Sequence, residues 1–392
     1  MAQMIGNICK LRDVCKKIGS GSTPKGGSLI YLRDGIGFIR SQNVYNNFFE
    51  YSGYAHISDA AAAKLSSVEV YENDVLLNIT GDSVARCCLV PKEALPARVN
   101  QHVAIIRADN RILNPRFLMY YMISPEMQAI MLGLAVGKGA SRNALTKGLI
   151  EDFDIPLPDI ATQNKIVELL SAYDTLIENN RKQIKLLEEA ARRLYKEWFV
   201  DLRFPGHEHT PIVNGIPEGW RRGELSSIAS FVRGKTITQA KTLPGCIPVV
   251  AGGLTPAYYH NTANTRPPVI TVSASGANAG YVALYHTPIW ASDCSFIDST
   301  KSEHLYYLYC LLKEHQAEIN NFRKGSAQPH VHPNQINGLQ LLVPHMKFIR
   351  QFEQSTAALF GKIRTLNTQN ELLTEARDRL LPKLMSGEIA IK

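Results

Sequence analysis

Four consecutive residues, Arg40, Ser41, Gln42 and Asn43, set a guanidinium, a hydroxyl and two amides side by side. Guanidinium and amide groups make paired hydrogen bonds to the edges of bases, because each offers a fork of donors or acceptors of matching width. Gln101 and His102 form a second short polar stretch. Two basic, glycine-containing loops suit phosphates, through their cations and backbone NH groups: 137–143, with Lys138 and Arg142, and 323–328, with Lys324 and Gln328. The blander alternatives are a strand end whose polar groups satisfy a turn at 40–43 and a solvated loop at 137–143.

Catalytic and metal chemistry finds less support. His330-Val331-His332 has a chelating spacing, but no cysteine or carboxylate lies near it in sequence, so surface histidines or a polar loop is the better reading and no metal site is expected. Gly234-Lys235-Thr236 resembles the end of a phosphate loop, yet Ala229 stands where its first glycine is needed. No Asn-Pro-Pro-aromatic or Asp-Pro-Pro-aromatic stretch marks an amino-methyltransferase, and Pro158-Asp159 with Lys165 is too compressed for a nuclease. No catalytic residue is assigned.

Seven cysteines without a Cys-x-x-Cys pair indicate neither a disulfide framework nor a zinc knuckle. Charged residues at 20% and hydrophobic residues at 45% fit a globular chain rather than a disordered one. The 392 residues exceed what one core usually organises, so two domains are expected. A net charge of +8 leans towards a polyanionic partner. No apolar run approaches about 18 residues and the first residues open no signal region, which points to the cytoplasm and away from membranes.

The chain repeats itself. Residues 139–199 align without a gap on 325–385: Gly139 falls on Gly325, Pro158 on Pro344, Ile177 on Ile363 and Arg193-Leu194 on Arg379-Leu380. Between these matching ends the two interiors look different, as a scaffold used twice would if each insert recognised something of its own. Strands are predicted at 35–44, 75–80, 103–106, 248–250, 269–273 and 281–284, with helices at 115–132 and 302–322. The resulting domains are 1–158, a first helix 159–203, a turn-rich linker 204–220, a second domain 221–343 and a second helix with tail at 344–392.

Both helices carry heptads. Apolar positions run from Ile166 through Leu170, Tyr173, Ile177, Asn180, Ile184, Leu187, Ala191 and Leu194 to Trp198, and again from Phe352 to Leu384. In an antiparallel pair, the register that sets Asn180 opposite Asn370 also sets Ile177 against Leu373, Ile184 against Leu366, Leu187 against Ile363 and Trp198 against Phe352. A shift of one heptad would bury Asn180 against Arg377, so an Asn–Asn lock on the register is expected. Pro382 is expected to break the second helix, which puts an Ile166–Leu384 contact in doubt. The first seam measures roughly 50 Å at about 1.5 Å per residue. Domains held at its ends would reach major-groove faces about one to one and a half DNA turns apart.

Several stretches resemble the specificity subunits of Type I restriction-modification systems: Gly21-Ser22-Thr23-Pro24, Phe38-Ile39-Arg40-Ser41-Gln42-Asn43-Val44, Asn78-Ile79-Thr80-Gly81 and Asn100-Gln101-His102 in the first half, and Gly215-Ile216-Pro217-Glu218-Gly219-Trp220, Ile270-Thr271-Val272-Ser273 and Gly325-Ser326-Ala327-Gln328 in the second. The order and duplication of these motifs are more specific than any one of them. The Gly-x-Pro-x-Gly-Trp motif has no counterpart at the start of the first half. The resemblance implies a mixed α/β chain of two target-recognition domains with a pseudo-twofold repeat, joined by long helices in an antiparallel coiled coil. It implies a non-catalytic subunit on double-stranded DNA, with two methyltransferase subunits and, in the full complex, restriction subunits. S-adenosylmethionine, ATP and Mg would belong to those partners, with no cofactor held by this chain. The rival without DNA is a purely structural coiled-coil protein, against which the divergent inserts speak.

Overall fold

A computed structural model describes residues 6–26, 30–136, 144–322 and 330–389. The chain forms two compact units, 1–177 with 371–392 and 178–370.

Unit 1 begins with β1 (Asn7–Lys10) and β2 (Cys15–Ser20), followed by β3 (Ile36–Ile39), β4 (Ala55–Ile57), β5 (Glu69–Val70), β6 (Val75–Asn78), β7 (Cys87–Leu89), β8 (Ala97–Val99), β9 (Val103–Ala108) and β10 (Asp154–Leu157). They build a sheet ordered β4-β3-β8-β5, a sheet ordered β2-β9-β6-β7 and the antiparallel pair β1·β10. The β3·β8 pairing is parallel and its neighbours antiparallel. Strand β6 is buried at every residue, as expected of an interior strand, and Leu76 turns to one core while Val75 and Leu77 turn to the other.

The apolar run 115–132 is two helices: α1 (Pro115–Met122) and α2 (Pro125–Ala135). Ser124 accepts from the Met127 amide and Pro125 takes the first helical position, a start signal strong enough to interrupt the run. Asn114 caps α1 in the same way, accepting from the Arg116 and Phe117 amides. The predicted strand at 35–44 is also shorter, ending at Ile39 before a 3-10 turn over Ser41–Asn43.

Unit 2 repeats the plan. Its strands are β11 (Arg221–Glu224), β12 (Val232–Arg233), β13 (Ile247–Val250), β14 (Tyr258–His260), β15 (Val269–Ser273), β16 (Val282–Tyr285), β17 (Trp290–Ala291), β18 (Cys294–Asp298) and β19 (Gln340–Val343). They form sheets ordered β14-β13-β17 and β12-β18-β15-β16 and the pair β11·β19. Here too one pairing, β13·β17, is parallel among antiparallel neighbours. The interiors that look different in sequence therefore share one strand order, except that β5 of unit 1 has no counterpart in the three-stranded sheet of unit 2. The apolar run 302–322 divides into α4 (Leu305–Glu314) and α5 (Gln316–Asn321). Phe204 and Trp220, at the ends of the turn-rich stretch, are buried in this unit's core.

Two long helices, α3 (Ile160–Tyr195) and α6 (Met346–Met385), contribute residues to both units. In unit 1, Ile166 and Leu170 of α3 share a core with Leu381 and Leu384 of α6. Pro382 does not break α6. It sits in the last turn, where few residues follow, and Leu381, Leu384 and Met385 are all buried. Burial of about 1.5–3 kcal/mol for each large side chain offsets a proline cost of about 3 kcal/mol. In unit 2, α3 continues into a π turn, Lys196–Val200, that delivers Trp198 and Phe199 to the core. Trp198 lies 5.9 Å from Phe352, ring centre to ring centre, the contact expected of the heptad register.

Candidate functional site

Unit 1 carries a cleft of about 600 Å³ lined by Ser41, Gln42, Tyr45, Thr80, Arg86 and His102, with Gly81 to Ser83 and Ala144 completing it. It opens just past the end of β6, at Thr80. After Asn78 the chain turns through Gly81, at φ +73°, and comes back at Ala85, at φ +71°, whose amide donates to the Asn78 carbonyl at 2.9 Å. The Ile79 amide donates to the His102 carbonyl (3.0 Å), and the Leu145 amide donates to the Ile79 carbonyl (2.8 Å). Three segments far apart in sequence are thereby fixed to one strand end. Side chains complete the frame: the Thr80 hydroxyl lies 2.7 Å from His102 Nδ1, Gln101 Nε2 lies 3.0 Å from His102 Nε2, and the Thr23 hydroxyl donates to Gln101.

The polar run 40–43 divides in two. Asn43 is fully buried; its Oδ1 accepts from the Arg40 amide (3.0 Å) and its Nδ2 donates to the Glu50 carbonyl (2.8 Å). It satisfies the turn after β3, so the expectation that Asn43 contacts DNA is corrected. Gln42 is exposed and Ser41 half-buried, both at the cleft. Arg40 places its guanidinium 5.0 Å from the Tyr31 ring centre and donates to the Gly53 carbonyl, while its Nε is buried without a partner. Lys138, Arg142, Lys324 and Gln328 lie outside the described residues.

Sequence reasoning missed Arg86. Its guanidinium stands 4.5 Å from the Tyr45 ring centre at the cleft wall. The sequence signal was faint, a single arginine between Ala85 and two buried cysteines. Burial pushes the Cys88 thiol, two residues on, up to about 12, so it stays neutral and supplies no thiolate.

The same frame recurs in unit 2, bond for bond. The Gly280 amide donates to the Ser273 carbonyl (2.8 Å), as Ala85 does to Asn78. The Val331 amide donates to Ala274 (2.8 Å), as Leu145 does to Ile79, and Gly276 turns at φ +77° where Gly81 does. Gln316 Nε2 donates to the Gly280 carbonyl (2.7 Å), as Gln128 does to that of Ala85 (2.8 Å). By these bonds Ser275 and Asp293 correspond to Thr80 and His102, and the Ser275 hydroxyl donates to Asp293, which also pairs with Arg233. An imidazole in one unit thus gives way to a carboxylate in the other. His330 and His332 stack with ring centres 6.0 Å apart, and among the described residues no group of three His, Cys, Asp or Glu is placed to hold a metal.

The sequence profile described as "Type I restriction modification DNA specificity domain" matches residues 7–189 and 217–360, most of both units. The chain belongs to this family. It is a DNA-specificity protein, a recognition component rather than a catalytic one. It is similar over 99% of its length to the Type I restriction enzyme MjaIX specificity subunit of Methanocaldococcus jannaschii, at 26% identity and covering 96% of that protein. The HindI specificity subunit of Haemophilus influenzae is 20% identical over 90% of this chain and 94% of its own. Among solved structures, the S subunit of the Type I restriction-modification system from M. genitalium shares the fold of this specificity protein with a TM-score of 0.56 at 16% identity, covering 99% of this chain and 97% of that one. Among the described residues no helix is long and apolar enough to cross a membrane.

On the scaffold helices, Asn180 is buried, while Asn370 Oδ1 is buried without a hydrogen-bond partner. The expected Asn180–Asn370 hydrogen-bonded lock is not formed. Asp174 and Arg377 instead make a direct ion pair at 2.7 Å, about two turns away along each helix. Ile177, Leu366 and Ile363 are buried, and Ile184, Leu187 and Leu373 half-buried.

Proposed function

We infer that the chain reads an interrupted, asymmetric double-stranded DNA target, unit 1 one half and unit 2 the other. The observation that carries this reading is the duplicated backbone frame with different side chains on it: Thr80 and His102 in one unit, Ser275 and Asp293 in the other. One framework with two chemistries suits two different half-sites. In unit 1, Arg40, Ser41, Gln42 and Gln101 supply donors and acceptors for base edges or nearby phosphates. Lys138, Arg142, Lys324 and Gln328 supply phosphate contacts.

The long helices α3 and α6 pair antiparallel, set the spacing between half-sites and bind two methyltransferase subunits, with restriction subunits joining the full complex. Asp174–Arg377 and Trp198–Phe352, each within one unit, both agree with the register that sets Ile177 near Leu373, Ile184 near Leu366 and Leu187 near Ile363. S-adenosylmethionine, ATP and Mg serve the partner subunits. Co-expression with the neighbouring methyltransferase, followed by single-molecule sequencing of host DNA, tests the reading. A methylated two-part motif with a fixed gap is expected; a complex without such a motif refutes it.

A further inference from the structure

We propose that Arg86 is a specificity-determining residue of unit 1 and reads a guanine in the DNA major groove. This rests on the DNA-reading function just described. The backbone of Arg86 is fixed on both sides, its amide donating to the Ser83 carbonyl (3.2 Å) and its carbonyl accepting from the Asn78 amide (2.8 Å). The fold requires nothing further of the side chain. At the equivalent place in unit 2 the Tyr281 carbonyl accepts from the Ser273 amide (3.0 Å), and the side chain is a tyrosine. The architecture therefore tolerates unrelated residues here, and the choice of arginine needs another reason.

The side chain is half-buried in the cleft wall and held against the Tyr45 ring. Among the described residues no carboxylate, carbonyl or amide accepts from its guanidinium. A fork of donors is thus oriented by a cation–π contact and left free for a ligand. Guanine offers O6 and N7 as paired acceptors of the right separation, the commonest specific arginine contact. Ser41 and Gln42 line the same cleft and can take a neighbouring base pair. A phosphate is the weaker match, since phosphate contacts need only charge and are served by exposed flexible lysines as well as by a pinned guanidinium in a concave wall.

The test uses the full chain in its methyltransferase complex. Once the wild-type motif is known, Arg86→Met should relax one G·C pair in one half and leave the other half unchanged. On short duplexes, replacing that guanine by 7-deazaguanine removes N7. It should weaken the wild type by about tenfold to a hundredfold and leave the Arg86→Met complex unaffected. Arg86→Tyr, which installs the residue type of unit 2, should relax the same pair and guards against a folding artefact. Equal weakening of all duplexes by Arg86→Met, with a shallower salt dependence, marks a phosphate contact and overturns the proposal. An unchanged motif in both variants overturns it as well. A wild-type complex with no two-part motif overturns the recognition function itself, and this inference with it.

Discussion

Asp174 of α3 joins two other elements of unit 1 through its two carboxylate oxygens: one accepts from Arg377 of α6 at 2.7 Å, the other from the Tyr120 hydroxyl of α1. Only 15% of the Asp174 side chain and 17% of the Arg377 side chain remain exposed. Removing the carboxylate takes the acceptor from a largely buried phenol and leaves the Arg377 guanidinium only its exposed neighbour Asp378 at 2.7 Å. Asp174→Ala should cost about 3 kcal/mol, and Tyr120→Phe about 1 kcal/mol. Chemical denaturation checks both. A loss under about 0.5 kcal/mol for Asp174→Ala would mean the pair is solvated after all.

Ala85 and Gly280 hold the same place in the two frames, at φ +71° and +88°. The left-handed region costs an L-residue about 1 kcal/mol and glycine almost nothing. Ala85→Gly should therefore be neutral or stabilising by up to about 1 kcal/mol. Gly280→Ala should destabilise by more, because its new Cβ would also press on Asn320 Oδ1 at 3.1 Å and Ile319 Cγ2 at 3.3 Å. Melting curves should shift down for Gly280→Ala and should not shift down for Ala85→Gly.

Gly21 and Gly234 permit a tighter approach. A Cβ on Gly21 would run into the carbonyl oxygens of Val99 and Asn100, and one on Gly234 into those of Ser292 and Ala291. Backbone cannot yield as a flexible side chain does. Either alanine substitution should cost at least about 3 kcal/mol. Limited proteolysis should show the loss confined to the unit that carries the change.

Glu353 of α6 caps α4, accepting from the Tyr306 amide (3.1 Å) and the Tyr307 amide (2.9 Å). Burial pushes its carboxyl up to about 7, against the pull of those two amides. Because the folded state holds its proton more tightly than the unfolded state, stability is greatest below about pH 4.5 for this group. It is lost as pH rises towards and through 7. Glu353→Gln should remove that decline, on the order of 2 kcal/mol. Urea midpoints at pH 5.5 and 8 compare wild type and variant, and equal slopes in both would sink the assignment.

What could be read from the chain before its structure follows from the range of each signal. The heptads of α3 and α6 are local and periodic, so the helices, the duplication and the Trp198–Phe352 contact were all visible. The Ser124-Pro125 start of α2 was equally local and was masked only by the apolar run around it. By contrast, the shared topology of the interiors is kept by backbone bonds such as Ala85 to Asn78 and Gly280 to Ser273, which constrain conformation and hardly constrain residue type. Asn43 looked like a ligand contact because burial and amide partners are invisible in a polar run. Arg86 escaped notice because its neighbours in the cleft come from positions 41, 80 and 102.

The pairs β1·β10 and β11·β19 bring the first and last strands of each unit's interior side by side, Asn7 opposite Leu157 and Arg221 opposite Val343. Everything between such strands leaves and returns through one narrow doorway. An interior from another chain that entered by the same doorway would still have to supply the helix contacts that Tyr120 makes with Asp174 and the Tyr306 and Tyr307 amides make with Glu353.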